Sequence, residues 1–353
     1  MRVAFVLGTT SGGTGRHVRM LAEGLLRRGH RVVVIGPPSV EEQFGFRAAG
    51  AGFAAVPVAD RPHPVNDATA VLRIRRHLRG ADVAHAHGLR AGALAALAGP
   101  RAPLVVTLHN ALTAGGLVGA IYGVLERIVA RRADKVIVVS PDLGDRMRAL
   151  GARDVVPAVV PAPPLRPATR PEPAVREELG AGERPLVLTV ARLAQQKGLE
   201  TLLDLAETGG PLFAVAGEGP LRQALQARID AEKLPVLLLG NRDDIPDLLA
   251  AATLVLWPSH WEGQPLSLSE ALMAGKPVVA TAVGGIPDLV DGAGRLVPYG
   301  DLAAMREAVR ELIDDPGARE RLAVAAARRG AALPGADEAV EAVLAAYRQT
   351  SQR

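Results

Sequence analysis

The sequence has no cysteine, little net charge and no long apolar run near its N-terminus. The missing cysteines exclude disulfide bonds, cysteine-ligated zinc and thiol catalysis. The formal net charge is only +4, which argues against a protein that binds nucleic acid nonspecifically over its surface. The apolar run that precedes Gly8 covers five residues, too few for a signal peptide or a transmembrane helix. We therefore expect a cytoplasmic protein.

The chain contains enough apolar material for two globular domains. It has 353 residues, of which 48% are hydrophobic and 22% charged. Short runs rich in Val and Leu alternate with amphipathic segments, which is typical of parallel sheets covered by helices on both faces. The predicted strands are 2–7, 31–35, 53–58, 83–86, 104–108 and 135–139 in the first half, and 186–191, 212–216, 236–239, 254–257, 278–281 and 295–297 in the second.

A proline-rich segment separates the two halves. Residues 157–173 include seven prolines, which predict a stiff and extended linker. The predicted organisation is an N-terminal domain 1–160, a linker 161–174, a C-terminal domain 175–335 and a final helix 336–353, whose crossing back to the first domain is left open. Ligands of open parallel sheets bind beyond the carboxyl ends of the strands, so we expect the site in a cleft between the domains.

The stretch 257–277 carries two carboxylates, Glu262 and Glu270, eight positions apart. Pro265 lies between them and predicts the first turn of a short helix. A helix N-terminus offers unpaired N–H groups and a positive dipole end, which suit a phosphate. The alternative is a solvent-exposed helix with ordinary surface glutamates. The N–H groups expected to be unpaired are those of Leu266, Ser267 and Leu268.

Two cations follow the first predicted strand of the second half. Arg192 and Lys197 lie five positions apart on a loop that leads into a helix. Cations are the wrong sign to stabilise a helix N-terminus, so an anionic ligand such as a diphosphate explains them better than a surface pair. Asp243 and Asp244 precede another predicted helix, and we interpret them as N-capping residues rather than metal ligands.

Glycines and histidines follow strands of the first half. Gly12 and Gly13 lie in a glycine-rich turn that lets a backbone approach a ligand closely, although a tight strand–helix connection is the simpler alternative. His109 comes at the end of the fifth strand, a position that favours function. His85 and His87 occupy alternate positions of the fourth strand, and we predict a structural or polar-lining role for both.

Taken together, these segments resemble the retaining nucleotide-sugar glycosyltransferases of family 4. The match covers nearly the whole chain in the family's order, and it includes G-G-T-G-R-H-V, D-V-A-H-A-H-G, V-V-T-L-H, R-R-A-D-K-V-I-V-V-S, A-R-L-A-Q-Q-K-G-L, G-E-G-P, W-P-S-H-W-E-G-Q-P-L-S-L-S-E-A-L-M-A-G-K-P-V-V-A and G-G-I-P-D-L-V. The resemblance implies the GT-B fold, an α/β architecture of two Rossmann-like parallel-sheet domains facing a central cleft, with the acceptor on the N-terminal side.

The resemblance also implies roles for matching residues. Arg192 and Lys197 look like the basic pair on the donor diphosphate. Glu262 looks like the carboxylate that faces the donor sugar, and Glu270 like the one that binds the ribose hydroxyls. His109 resembles the histidine that contacts the sugar near the reacting carbon. The other expected donor contacts are Gly12 and Gly13 for the diphosphate, Gln264, Leu266 and Ser267 for sugar and phosphate, and Arg242 beside the nucleobase.

The implied reaction is hexosyl transfer with retention of configuration, without a metal or other cofactor. The expected partners are a nucleotide-sugar donor, UDP- or GDP-linked, and a small-molecule, lipid-linked or glycan acceptor, with no nucleic acid. In retaining members the leaving phosphate is thought to help to deprotonate the acceptor. Two departures concern Pro265, where most members carry glycine, and V-P-A-P-P-L, where most carry N-G-V-D.

Three alternatives stay open at this stage. One is a sugar-nucleotide 2-epimerase of the same architecture, and another is a non-catalytic nucleotide-sugar binding protein. The third, compatible with transfer, is peripheral contact with the inner face of a membrane. It would use the apolar segment 115–132, which ends in Arg127, Arg131 and Arg132. A packed helix with a solvated basic end is the simpler interpretation of that segment.

Overall fold

The computed structural model describes residues 1–10, 12–58, 64–111, 116–162, 164–206 and 210–351. The chain divides into two compact units. The first comprises Met1–Pro161 and Pro334–Arg353, and the second comprises Ala162–Leu333. Each is an α/β unit built on one parallel sheet, in agreement with the predicted Rossmann-like domains.

The sheet of the first unit has seven strands in the order β3-β2-β1-β4-β5-β6-β7. All of its strand pairs are parallel, and β1 and β4 are neighbours in the centre, with His87 in register with Leu7. Both faces of this sheet carry apolar side chains, because helices cover both faces. The strands are β1 (Arg2–Leu7), β2 (Arg31–Gly36), β3 (Gly52–Ala55), β4 (Val83–His87), β5 (Leu104–Leu108), β6 (Lys135–Val138) and β7 (Val155–Pro157).

The sheet of the second unit has six parallel strands in the order β10-β9-β8-β11-β12-β13. Alternate residues of each strand enter separate buried clusters: Leu188 and Ala214 pack on one face, while Val187 and Phe213 pack on the other. The strands are β8 (Leu186–Val190), β9 (Leu212–Ala216), β10 (Val236–Gly240), β11 (Leu254–Trp257), β12 (Val278–Thr281) and β13 (Arg295–Val297).

Helices connect the strands of both sheets. Those of the first half are α1 (Gly13–Arg27), α2 (Pro38–Phe44), α3 (Pro64–His77), α4 (Leu89–Ala98), α5 (Gly116–Arg132) and α6 (Pro141–Ala149). Those of the second half are α7 (Glu172–Glu178), α8 (Leu199–Leu205), α9 (Arg222–Glu232), α10 (Ile245–Ala251), α11 (Leu266–Met273), α12 (Ile286–Val290), α13 (Leu302–Asp314), α14 (Pro316–Ala331) and α15 (Ala336–Ser351).

Helix α15 belongs to the first unit and packs against α1. Val340 and Tyr347 on this helix are completely buried. Gly24 on α1 leaves the room for this packing, since a Cβ atom at that position would lie 2.4 Å from Cγ2 of Val340. The last helix of the chain therefore completes the core of a sheet that begins at residue 2.

All twelve predicted strands are present, but short elements near the linker were missed. Strand β7 is only three residues long, and a proline interrupts the apolar run that contains it. Helix α7 begins at Glu172, within the segment that the sequence assigned to the linker. Its N-cap is Pro171, and Pro173 lies in its first turn, so prolines that indicated an extended chain also begin a helix here.

Helix α5 has a packed half and an exposed half. Val129 and Ala130 are buried in the unit, whereas Val118, Ile121 and Val124 are exposed. The basic end of the helix is solvated, as the simpler sequence interpretation expected. Within the described residues, none of the helices combines the length and the hydropathy needed to span a bilayer. Contact of α5 with a membrane surface stays a prediction.

The contact between Gly24 and Val340 provides a test of α15 docking. Gly24→Ala should destabilise the protein by about 1–3 kcal/mol through overpacking, although alanine is the better helix former. Val340→Ala removes the colliding methyl groups, so the double variant should be more stable than the sum of the single effects by roughly 1 kcal/mol. Urea unfolding of the four proteins measures this coupling. Additive effects would show that α15 does not dock on α1.

Candidate functional site

The second unit presents its candidate site where the strand order reverses. From β8 the chain proceeds outward to β9 and β10, whereas β11, β12 and β13 lie on the other side of β8. The loops that leave β8 and β11 therefore diverge at this point, which is where open parallel sheets bind ligands. Arg192 and Lys197 lie on the first of these loops, and Glu262 and Gln264 lie on the second.

Hydrogen bonds join the two loops. The backbone N–H of His260 donates to the carbonyl of Gln196 over 2.8 Å, and Nε2 of Gln196 donates to the carbonyl of Trp261 over 2.8 Å. Gly198 has a φ of +61°, and a Cβ atom there would lie 2.0 Å from the carbonyl oxygen of Pro258. Glycine is therefore required for this close approach, which holds Lys197 beside the second loop.

Lys197 and Glu262 form a close ion pair. Nζ of Lys197 lies 2.6 Å from Oε1 and 2.8 Å from Oε2 of Glu262. The hydroxyl of Ser259 also donates to Oε1, over 2.7 Å. The Glu262 side chain is only 5% exposed, whereas that of Lys197 is 21% exposed. A buried carboxylate needs such compensation, because an unpaired one would carry a large desolvation cost.

The glycines after β12 secure the backbone of Glu262. The N–H of Gly285 donates to the Glu262 carbonyl over 3.0 Å. At Gly284, with a φ of +54°, a Cβ atom would lie 1.9 Å from that same oxygen. The segment G-G-I-P that contributed to the family resemblance thus has a structural use: it packs on the loop that carries the buried carboxylate.

Arg192 differs from its neighbour on the loop. Its side chain is exposed, and no described residue forms a hydrogen bond or ion pair with it. A solvated guanidinium at the switch point is available for an anion without first releasing a protein partner. The loop therefore presents one free cation and one cation that is already paired with a carboxylate.

The N-terminus of α11 is close to the predicted arrangement, with two corrections. Pro265 is the N-cap residue, with a φ of −70°, rather than a residue of the first turn. The N–H of Leu268 is not unpaired, because it donates to the carbonyl of Pro265 over 3.0 Å. The N–H groups of Leu266 and Ser267 have no backbone acceptor among the described residues, so two donors are left for an anion.

Two further predicted residues lie on or beside this helix. The hydroxyl of Ser267 donates to the carbonyl of Val190 over 3.0 Å, which ties α11 to the end of β8. Glu270 lies one turn further along α11 and is half-buried, as is Gln264 on the preceding loop. Their assignments to ribose, sugar and phosphate stay predictions.

Arg242 is part of an ion-pair network. Its guanidinium donates to both carboxylate oxygens of Asp244, over 2.7 and 2.6 Å, and to Glu178 over 2.9 Å. These bonds, those to Asp244 most of all, raise the pKa of Arg242 above its usual value. The prediction that the Asp244 side chain caps α10 is wrong. The residue stands at the N-cap, but its carboxylate accepts from arginine and not from a helix N–H.

The first unit has its own switch point, between β1 and β4. Gly12 is the N-cap of α1 with a φ of +79°, and Gly13 begins the helix and is exposed. Space beside both residues is open, since a Cβ atom at either would meet nothing within 4 Å. The geometry permits the close backbone approach predicted for this turn.

Histidines cluster at the same edge of the first sheet. His109 follows β5 directly, and its Nε2 lies 3.1 Å from Nδ1 of His87. His85 is fully buried and has both ring nitrogens occupied, by the hydroxyls of Tyr347 and Thr107, each at 2.7 Å. Its structural role was predicted correctly. No group of described side chains is arranged to hold a metal ion.

Sequence reasoning missed His17 on α1. Its ring centroid lies 6.0 Å from that of His87 and 5.7 Å from that of His109. One signal was available in the sequence: His17 lies about one turn into α1, the helix that follows the glycine turn after β1. A pattern read along the chain gives no indication that residue 17 meets residues 87 and 109.

Burial keeps this cluster uncharged near neutral pH. Desolvation lowers the pKa of His109 to about 3 and that of His17 to about 4. It also lowers the pKa values of His85 and His87 well below the usual value of 6.5. The rings therefore act as neutral donors and acceptors, each with one N–H.

These lowered pKa values predict acid sensitivity. Below about pH 6.5 the unfolded chain binds protons that the folded cluster excludes, so stability is lost as the pH falls toward 4. Each histidine that stays neutral should remove about 1.4 kcal/mol per pH unit from the free energy of unfolding. Urea unfolding between pH 7.5 and 5 measures the slope, and His17→Gln should reduce it. An unchanged slope in that variant would contradict the buried, neutral state of His17.

Two family models match the chain. Residues 12–163 match the family model described as Glycosyl transferase 4-like domain, and residues 172–329 match Glycosyl transferases group 1. These two matches cover the first and second halves of the chain, on either side of the proline-rich segment.

Relatives align along nearly the whole chain. Alpha-D-kanosaminyltransferase of Streptomyces kanamyceticus is 30% identical over 94% of this chain and 98% of its own length. D-inositol 3-phosphate glycosyltransferase of Xylanimonas cellulosilytica is 32% identical over 97% and 93%. The crystal structure of Anabaena HepE in complex with UDP has a TM-score of 0.81 at 21% identity, covering 99% of this chain and 100% of that one. The fold is therefore GT-B, and the chain belongs to the group 1 glycosyltransferases of the family 4 type.

Proposed function

We propose that this glycosyltransferase moves a hexosyl unit from a nucleoside-diphosphate sugar to an acceptor hydroxyl with retention of configuration and without a metal. The observation that carries the proposal is the arrangement at the switch point of the second unit. There, two adjoining loops and the start of α11 bring together the Arg192 guanidinium, the Lys197–Glu262 pair and the N–H groups of Leu266 and Ser267, and neither the guanidinium nor these N–H groups have a partner among the described residues.

Each of these groups suits one part of the donor. Breaking the bond between the sugar and the phosphate leaves negative charge on the diphosphate, which Arg192, Lys197 and the α11 N-terminus can stabilise. A diphosphate would share the Lys197 ammonium with Glu262, because an ammonium has three protons to donate. The Glu262 carboxylate can then accept hydrogen bonds from sugar hydroxyls.

Retention is proposed because the departing diphosphate can accept the acceptor proton on the same face of the sugar. The bond from the anomeric carbon to the diphosphate oxygen breaks, and a bond to the acceptor oxygen forms on the same face of the sugar. The acceptor proton passes to the departing diphosphate, so no protein carboxylate is needed as a base. The cations that stabilise the diphosphate support its departure.

The donor is proposed to carry uridine, with guanosine as the second choice. Crystal structures of Anabaena HepE contain UDP in one case and UDP-glucose in another, which supports uridine in this fold. The acceptor differs among the relatives, whose names include deoxystreptamine and inositol phosphate acceptors. The match to transferases supports transfer over epimerisation. A cytoplasmic location and membrane contact stay predictions from the sequence.

Arg192 offers the sharpest test of the diphosphate assignment. Because its side chain is exposed and bonds to no described residue, Arg192→Ala should leave the melting temperature unchanged and lower kcat/KM about 100-fold. Lys197→Ala should cause a similar kinetic loss and also destabilise the protein, since Glu262 would lose its partner. Donor hydrolysis and thermal unfolding give the two readings.

Lys276 provides a control for loss of activity that results only from loss of stability. Lys276 in the same unit donates to the carbonyls of Ala250 and Ala252, over 2.8 and 3.0 Å, and lies outside the site. Lys276→Met should lower stability and leave kcat/KM near that of the parent protein. Full turnover by Arg192→Ala and Lys197→Ala would refute the diphosphate assignment.

A donor panel tests the nucleotide. UDP-, GDP- and ADP-sugars should be compared by thermal shift and by donor hydrolysis. The true donor should raise the melting temperature by roughly 2–4 °C for each kcal/mol of binding-derived stabilisation. Arg192→Ala should abolish most of that rise. If no nucleotide sugar shifts the melting temperature or is hydrolysed, the proposed transfer is wrong.

A further inference from the structure

The contact between His87 and His109 is asymmetric. Nδ1 of His87 lies 3.1 Å from Nε2 of His109, and the two rings are nearly parallel at 22°. Nε2 of His87 is buried and has no hydrogen-bond partner among the described residues. The residue is only 3% exposed. Nδ1 of this ring is thus hydrogen-bonded, and Nε2 has no partner among the described residues.

Of the described rings next to His87, only His109 is hydrogen-bonded to it; His17 lies 6.0 Å away between centroids and forms no hydrogen bond with it. Phe5 packs against the ring at 5.4 Å between centroids, and His85 lies at 4.2 Å. Both nitrogens of His85 are already bonded, to Tyr347 and Thr107, so His85 has no proton or lone pair to offer. His109 is therefore the one described residue to which His87 is hydrogen-bonded.

This asymmetry selects one tautomer of the pair. A neutral imidazole carries one N–H, either on Nδ1 or on Nε2. If His87 accepted at Nδ1, its N–H would sit on the unpaired, buried Nε2, and orphaned buried N–H groups are rare and costly. If His87 donates from Nδ1, its Nε2 is a bare acceptor nitrogen. The second arrangement is favoured.

The tautomer of His87 determines the tautomer of His109. A ring that accepts at Nε2 and is neutral must carry its proton on Nδ1. His109 follows the last residue of β5 and is half-buried, and its Nδ1 has no partner among the described residues. We propose that His87 is a positioning residue that holds His109 in the Nδ1–H tautomer, so that His109 presents a neutral N–H donor to an oxygen of the sugar substrate.

This inference rests on the proposed function for its chemistry. A glycosyl group gains positive charge as its bond to the diphosphate breaks, and a cationic imidazolium beside it would oppose that change. A neutral N–H can bind a sugar hydroxyl without this repulsion. In the wrong tautomer His109 would turn a lone pair toward that hydroxyl instead. The benefit therefore depends on His87, which does not need to touch the substrate.

Two variants of equal size separate this role from packing. Asparagine at position 87 can place an amide N–H near the position of Nδ1, whereas aspartate of the same shape offers only acceptor oxygens. His87→Asn should keep His109 protonated on Nδ1. His87→Asp should accept from His109 and place a proton on Nε2, either as the neutral Nε2–H tautomer or as an imidazolium.

Long-range ¹⁵N–¹H spectra of the histidine-labelled full-length protein report the tautomers directly, with His109→Gln used for assignment. We expect a protonated Nδ1 and a bare Nε2 for His109 in the parent protein and in His87→Asn. Nε2–H in the parent protein would overturn the proposal. So would an Nδ1–H tautomer that persists in His87→Asp. If His87→Asp does not fold, the parent and His87→Asn spectra decide alone.

Kinetics provide the second reading. His87→Asn should keep kcat within about threefold, as expected when one donor is exchanged for another. His87→Asp should lower kcat at least 100-fold, since a wrong histidine tautomer in a hydrolytic triad costs about 10⁴. Equal losses in both variants would overturn the positioning role. The spectra do not depend on turnover, so a confirmed tautomer without sugar transfer would refute the proposed function alone.

Discussion

The loops at the candidate site of the second unit are arranged around a buried carboxylate, Glu262, that lies beside the ammonium of Lys197. Glu262 is almost inaccessible, and its charge is tolerable because Lys197 and Ser259 supply three short hydrogen bonds. That need explains the surroundings: Gly198 allows one loop to approach the other, and the glycines after β12 hold the carboxylate's backbone. A pair built for stability alone could be replaced by apolar residues, often at no cost. Retaining it at a switch point favours a functional reason.

The parallel sheets determine where such groups can collect. Both units reverse their strand order once, between β1 and β4 in the first and between β8 and β11 in the second. At each reversal two loops diverge, and the backbone donors of a helix N-terminus become accessible. The glycine turn before α1 and the proline-capped start of α11 occupy these positions. The chemistry-bearing residues therefore follow from topology as much as from local sequence.

The sequence predicted the strands because buried parallel strands are continuous apolar runs, and it predicted Arg192, Lys197, Glu262 and His109 as strand-following residues. It could not reveal partners that lie far apart along the chain. Lys197 and Glu262 are separated by 65 positions, and His85 and Tyr347 by 262. For the same reason His17 was missed. Asp244 was misinterpreted on other grounds, because its place before α10 indicated a cap although its partner Arg242 is only two positions away. Local patterns indicate which residues are unusual, and only the fold shows what they meet.

The two switch points differ in how their buried groups are charged, and the difference suits the proposed reaction. In the second unit the burial of the Glu262 carboxylate is compensated by the opposite charge of Lys197, at 2.6 Å. In the first unit the histidines have no carboxylate bonded to them among the described residues, and burial lowers their pKa values instead. Cations suit a departing diphosphate, whereas neutral rings suit a sugar that becomes positive. A carboxylate beside the histidines would remove this neutrality, because it would raise their pKa values and make them imidazolium ions. The apolar and aromatic packing around His87 is therefore what allows the cluster to act through N–H groups without charge.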